Sequence, residues 1–220
     1  MADTPTRRAV LGAGALVAGS LFGIDRGAAE GPLPPTPACH DGDAVTPAQT
    51  EGPYFKPSSP ERIELFEEGM AGQPIELIGL VLTRDCKPVA GALLDFWQAD
   101  AKGQYDNSGF RLRGHQFTDA DGRYRLRSIV PGVYPGRSRH IHVKVQPRGG
   151  QVLTTQLYFP GASQNRSDSL FRKALLVHTA KNAGWLAGRF DLWLGRFDPE
   201  RGASVKHLLN GVKIRVIHFV

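Results

Sequence analysis

From residue 75 onward the chain reads as a succession of short apolar runs with turn chemistry between them. IELIGLVLT (75–83) and ALLDFWQA (92–99) are of strand length and rich in β-branched, aromatic and aliphatic residues, and RDCKPVAG separates them. HQFTDADGRYRLRSI (115–129) sets Asp121-Gly122 between two alternating runs, which predicts a β-hairpin. RHIHVKVQ (139–146) and VLTTQLYF (152–159) follow, joined by PRGGQ, and DLWLGRF (191–197) and VKIRVIHFV (212–220) close the chain. One helix is predicted, over DSLFRKALLVHTA (168–180), with Asp168 or Ser169 placed to cap it. No segment repeats another. Many short strands with frequent turns predict an all-β fold, an antiparallel β-sandwich or barrel with long loops and one short helix.

Within this pattern, YPGRSRHIHVKV (134–145) carries the most chemistry. Successive strand residues face opposite ways, so Ile141, Val143 and Val145 share an apolar face. His140 and His142 share the other face with Lys144 and cannot fill the same core. Two imidazoles on one side of a strand suit a metal, since neutral histidine is the commonest metal-binding side chain. Two surface histidines on an edge strand would give the same local pattern.

Composition narrows the class. The chain has 220 residues, 41% hydrophobic and 22% charged, enough for one substantial core. Its 26 glycines and 16 prolines agree with sheets and turns. The net charge of +6 comes from Lys and Arg scattered among acids, with no basic run interleaved with aromatics, so nucleic acid is not an expected partner.

Residues 1–29 differ from the rest. A charged start, an Ala/Gly-rich apolar middle and small residues at Ala28 and Ala29 follow the plan of an export signal. The pair Arg7-Arg8 ahead of Val10 and Leu11 resembles the twin-arginine type. The apolar stretch from Ala9 to Ile24 is short for a spanning helix and diluted by glycines, so no stable membrane anchor is expected. The expectation is periplasmic or extracellular location after cleavage near Ala28–Glu30. Residues 30–49, with prolines throughout Gly31–Gln49, read as an extended arm, and the folded domain is expected over 50–220. The two cysteines, Cys39 and Cys86, have no metal-site spacing; in an oxidising compartment they could pair, or both could be free thiols.

WQADAKGQYDN (97–107), PGVYPGRSRHIHVKV (131–145) and LTTQLYF (153–159) together resemble the intradiol ring-cleavage dioxygenases, which include catechol and protocatechuate dioxygenases. The likeness runs from QTEGPYF (49–55) through LTTQLYFPG and is strongest around the histidines. It implies one Fe(III) held by Tyr105, Tyr134, His140 and His142. Two phenols suit a hard trivalent cation, which would drive them to phenolates at neutral pH.

The resemblance further implies a catechol and O2 as substrates and a muconate-type diacid as product, with cleavage between the two hydroxylated carbons. It makes Tyr134 a proton acceptor, Arg137 a stabiliser of charge on the ring and Gln156 a third catalytic group. Gly52, Pro53 and Tyr54, with the loop around Tyr105, are expected to wall the pocket. The remaining histidines (His40, His115, His178, His207, His218) match no ligand position. A second resemblance, of GLVLTRDCKPVAGALLDFWQ, TDADGRYRLRSI and PGVY to transthyretin-like extracellular modules, implies a sandwich of transthyretin- or immunoglobulin-like layout and an alternative role, an exported binding module without turnover.

Overall fold

The computed structural model describes residues 45–195. The predicted signal, most of the arm, Cys39 and the run VKIRVIHFV lie outside the described residues. Among the described residues nine strands build two stacked sheets: β1 (Pro74–Thr83), β2 (Leu93–Gln98), β3 (Arg113–Phe117), β4 (Arg123–Ile129), β5 (His140–Gln146), β6 (Leu153–Tyr158), β7 (His178–Asn182), β8 (Trp185–Arg189) and β9 (Leu192–Leu194). The first sheet has the order β4-β1-β8-β7, with β9 also paired to β1, and the second the order β3-β2-β5-β6. The second sheet is antiparallel throughout, whereas β8 and β9 run parallel to β1. The predicted sandwich is therefore present, with two parallel pairings in one layer.

The core lies between the layers. Leu77, Val81 and Leu126 from the first sheet meet Leu94, Phe96, Ile141, Val143, Val145 and Leu157 from the second, all buried. The predicted apolar face of β5 points into this core. Burying each such side chain contributes about 1.5–3 kcal/mol.

Two local expectations are overturned. The Asp121-Gly122 turn does not close a hairpin: β3 pairs with β2 in one sheet, while β4 pairs with β1 in the other. Asp119 fixes that turn by accepting hydrogen bonds from the Asp121 and Arg123 amides at 2.9 and 2.7 Å. The chain thus crosses from layer to layer. The helix expected over 168–180 is absent. In its place stand a turn at Ser169–Leu170, a 3₁₀ turn at Lys173–Leu175 and the start of β7, and another 3₁₀ turn lies upstream at Ser163–Arg166. Here tertiary bonds override the local pattern, because the Val177 amide donates to Tyr158 O at 2.8 Å and Asp168 is engaged by Arg137.

The end of the predicted arm is hydrogen-bonded to the sheets. Residues 45–49 are already part of the fold: the Thr46 amide donates to Trp193 O (2.9 Å) and the Gln49 amide to Thr154 O (2.8 Å). From there the chain runs as a strap over the second sheet to its opposite edge, where the Arg62 amide donates to His115 O and the His115 amide to Pro60 O. The strap covers the backbone of both edge strands, β6 and β3, which would otherwise be open to pairing. Cys86, after β1, is disulfide-bonded.

Candidate metal centre and active site

Cross-strand register on the second sheet places the chemistry. Trp97 of β2 lies opposite Arg113 of β3 and opposite His142 of β5, and His142 lies opposite Gln156 of β6. These four side chains form one row on the sheet face turned away from the core. His140 and Tyr158 form the adjoining pair. Directly opposed residues share a face, so the core side packs the sandwich while the outer side presents a row of polar and aromatic groups. Both histidines are nonetheless buried, at 2% exposure each. The strap and the loops after β2, β4 and β6 cover them.

Two glycines lock the tyrosine-bearing loops together. Gly103 has φ +79°, and a Cβ there would lie 2.2 Å from Val133 O; a Cβ on Gly132 would lie 2.4 Å from Ala101 O. Only residues without a side chain permit this approach. As a result Tyr105 and Tyr134 meet edge to face with ring centres 5.9 Å apart. Asp106 steadies the loop beyond Tyr105 by accepting from the Ser108, Gly109 and Arg111 amides. Lys56 ties it to the strap through the Gly109 carbonyl at 2.8 Å.

The four predicted ligands converge. His140 Nε2 and His142 Nε2 are 3.1 Å apart, and His142 Nε2 is 3.1 Å from the Tyr105 hydroxyl. His140 Nδ1 lies 2.6 Å from Ser138 O. A carbonyl only accepts, so Nδ1 carries the proton and Nε2 offers its lone pair to the cluster. His142 Nδ1 is buried without a hydrogen-bond partner; its ring is held by stacking on Trp97, centroids 4.7 Å apart and nearly parallel at 10°.

Burial depresses the pKa of His140 to about 4, with nearby Arg137 adding to the effect, and pushes His142 well below its ordinary value. Both imidazoles are neutral at physiological pH. Burial raises the pKa of both phenols, so neither ionises without a cation beside it. Neutral imidazole nitrogens facing ionisable phenols in a largely buried pocket can supply nitrogen donors and hard phenolate oxygens to a highly charged cation. The residues fit Fe(III). Among the described residues no group of three or more His, Cys, Asp or Glu offers a competing site.

Arg137 enters from the side. Nη1 donates to the Tyr134 hydroxyl at 3.2 Å, Nη2 to Gln156 Oε1 and to the Tyr158 hydroxyl (3.2 Å), and Nε to both Asp168 oxygens at 3.1 and 3.2 Å. Gln156 is in turn held by the strap, its Nε2 donating to Thr50 O at 2.9 Å. Of the expected pocket wall, Tyr54 stacks on Tyr105 at 4.3 Å and a Cβ on Gly52 would lie 3.6 Å from His142 Cε1, whereas Pro53 is exposed. Trp97, Tyr158, Asp168 and Arg113 surround the site without having been singled out from sequence. Arg113 is 1% exposed and donates to Tyr54 O at 2.6 Å. Trp97, Arg113 and Tyr158 have only a place in the strand register as a signal, and Asp168, read from sequence as a helix cap, has none for the site. A concavity of about 1290 Å³ bounded by Val45–Ala48, Pro147, Gly149–Leu153 and Trp193–Gly195 shares no residue with this cluster.

A family model described as Dioxygenase matches residues 50–183. The chain belongs to the intradiol ring-cleavage dioxygenase family. It is 31% identical over 207 residues to catechol 1,2-dioxygenase 1 of Acinetobacter lwoffii, covering 79% of this chain and 65% of that one. It is 36% identical over 119 residues to the protocatechuate 3,4-dioxygenase beta chain of Burkholderia cepacia, covering 46% of this chain and 51% of that one. The chain spans roughly half to two thirds of the length of the curated relatives it matches. Among solved structures, the dioxygenase domain of a dioxygenase–carbohydrate-binding protein fusion from the cellulolytic bacterium Streptomyces sp. SirexAA-E superposes with a TM-score of 0.69. The two are 55% identical over 70% of this chain and 100% of that one. The 3-chlorocatechol 1,2-dioxygenase of Rhodococcus opacus 1CP superposes with a TM-score of 0.64 at 29% identity, covering 69% of this chain and 73% of that one.

Proposed function

We propose that this protein is an Fe(III)-dependent intradiol dioxygenase that opens catechol-type rings between the two hydroxylated carbons, consuming O2 and giving a muconate-type diacid. The observation that carries the reading is the convergence of Tyr105, Tyr134, His140 and His142 beside Arg137 in one buried cluster. Tyr105, Tyr134, His140 and His142 would hold the iron, which when bound supplies Lewis acidity and a template for both catechol oxygens. With the cation bound, Tyr134, borne on a loop, would be a phenolate and could take up a proton from the incoming diol at its oxygen. Arg137, already bonded to that oxygen, stays fixed while charge develops on the ring and stabilises it by preorganised electrostatics. Gln156 and the strap hold Arg137 from the sheet side, and Tyr54 roofs Tyr105 and excludes water. Relatives named for catechol, chlorocatechol and hydroxyquinol share the 1,2-diol, which supports a catecholic substrate and leaves its ring substituents open. No observation favours the transthyretin-like binding module.

The sequence plan of residues 1–29 supports twin-arginine export and so an enzyme acting on catechols outside the cytoplasm. Product analysis under labelled O2 tests the reaction: both atoms are expected in a diacid, and a yellow semialdehyde from cleavage beside the diol would overturn it. Metal analysis is expected to give one iron per chain with reddish tyrosinate absorption, lost in a His140→Ala, His142→Ala double variant. Replacing Arg7 and Arg8 by Lys is expected to trap the protein in the cytoplasm. Unimpaired export of that variant would remove the twin-arginine assignment.

A further inference from the structure

Resting on the ring-cleavage reading, we infer that Asp168 is the positioning residue for this reaction, the carboxylate that aims the Arg137 guanidinium at the Tyr134 oxygen. Asp168 lies on the segment after β6, 31 positions from Arg137 in sequence, and its side chain is fully buried while that of Arg137 is 16% exposed. Both carboxylate oxygens accept from Arg137 Nε, at 3.2 and 3.1 Å. The same oxygens accept from the backbone at either side: the Leu170 amide donates to Oδ1 at 2.9 Å and the Ser138 amide to Oδ2 at 2.8 Å. A carboxylate fixed by two amides has no freedom to follow a moving arginine, so it is the arginine that is fixed.

The guanidinium is planar, and pinning Nε sets the direction of the whole fork. With Nε on Asp168 and Nη2 on Gln156 and Tyr158, Nη1 is the corner left to face the ligand tyrosine, and it does so. Asp168 touches neither the tyrosines nor the histidines through any hydrogen bond, so its influence on the reaction passes through Arg137. The Ser138 amide it accepts belongs to the residue whose carbonyl holds His140 Nδ1. This makes a purely structural contribution the rival explanation that a test must separate.

A double-variant cycle does so. The iron-loaded wild type, Asp168→Asn, Arg137→Ala and the combined variant are compared for kcat and KM on catechol, iron content and thermal unfolding. Asp168→Asn is expected to lower kcat about 10- to 100-fold, the usual range for losing a partner that orients a functional group, with KM little changed and iron retained. In the Arg137→Ala background the same substitution is expected to lower kcat no further, because the residue it acts through is gone. An equal loss in both backgrounds, or no loss in the first, overturns the inference.

Crystal structures of the wild type and Asp168→Asn give a reading independent of turnover. The Arg137 fork is expected to keep its contacts to Tyr134 and Gln156 in the former and lose them in the latter; an unmoved fork also overturns the inference. Should wild type cleave no catechol, the ring-cleavage reading fails while the crystallographic comparison still decides what Asp168 does. Should Asp168→Asn not fold, Asp168→Ser, which keeps an acceptor near the two amides without the charge, carries the same comparisons.

Discussion

The neutrality of the two buried histidines has a measurable consequence for the metal-free protein. In an unfolded chain histidine titrates near ~6.5, whereas in the folded protein His140 titrates at about 4 and His142 well below its ordinary value. The unfolded chain therefore takes up protons first. Acidification drains stability from about pH 6.5 downward, and the loss through His140 is complete once pH falls below its folded value.

Each pH unit in that window costs about 1.4 kcal/mol per group. Between pH 7.5 and 5, His140 alone removes about 2 kcal/mol, and His142 adds a loss of the same sign. Two carboxylates, half-buried Asp95 and buried Asp168, differ. Burial raises the pKa of Asp95, which opposes the trend by favouring the folded state as pH falls. Burial also tends to raise that of Asp168, but the Ser138 and Leu170 amides and Arg137 bring it below the ordinary carboxylate value, so its contribution is lost only in stronger acid. Urea unfolding followed by far-UV circular dichroism at pH 7.5, 6 and 5, on metal-free wild type and on a His140→Asn, His142→Asn variant, isolates the histidine contribution, since both proteins keep the carboxylates. Wild type is expected to lose at least about 2 kcal/mol more than the variant across this range. Equal slopes would refute the claim that the site holds two unprotonated imidazoles.

Arg137→Ala is expected to keep its iron and bind catechol while losing kcat by about 10²- to 10³-fold, the scale for removing one preorganised electrostatic donor; metal analysis and substrate titration beside turnover check this. Trp97→Ala removes a ring that stacks on His142 and meets Phe55 edge to face at 4.9 Å. A loss of about 3–5 kcal/mol is expected, together with weaker iron retention, and unchanged retention would show that stacking does not hold the ligand. Thr118→Val keeps the shape of a buried side chain whose hydroxyl donates to Val89 O and accepts from the Ala92 amide. Leaving both backbone groups unpaired is expected to cost about 2–4 kcal/mol in denaturant unfolding with iron content unchanged.

The face of β5 was legible in the sequence because alternation reports the pleat directly: Ile141, Val143 and Val145 face the core between the sheets and His140 and His142 the opposite side. The four candidate donors were suggested by short segments resembling a known family, and the fold brings those residues together. What local pattern could not report was partnership between distant segments. Asp121-Gly122 reverses the chain, yet a turn carries no information about which sheet receives the next strand, and β4 crosses to β1. DSLFRKALLVHTA has the apolar content of a helix, but Asp168 binds Arg137 and Val177 binds Tyr158. Trp97 and Tyr158 look like ordinary core aromatics until strand register sets them beside His142 and His140.

The placement of the cluster on the outer face of a sandwich divides its ligands by rigidity. His140 and His142 stand on β5, hydrogen-bonded to a neighbouring strand on each side, and a shift of either would disturb both ladders. Tyr105 and Tyr134 stand on loops held by glycine contacts, an aspartate turn and Arg137. Such segments can move locally without disturbing the core. The strand thus holds the two histidines rigidly, while the loop gives Tyr134 room to shift on taking up a proton in the proposed reaction. The walls of the pocket are likewise loop and strap, so residues there can vary while the histidine pair and the row it belongs to stay fixed.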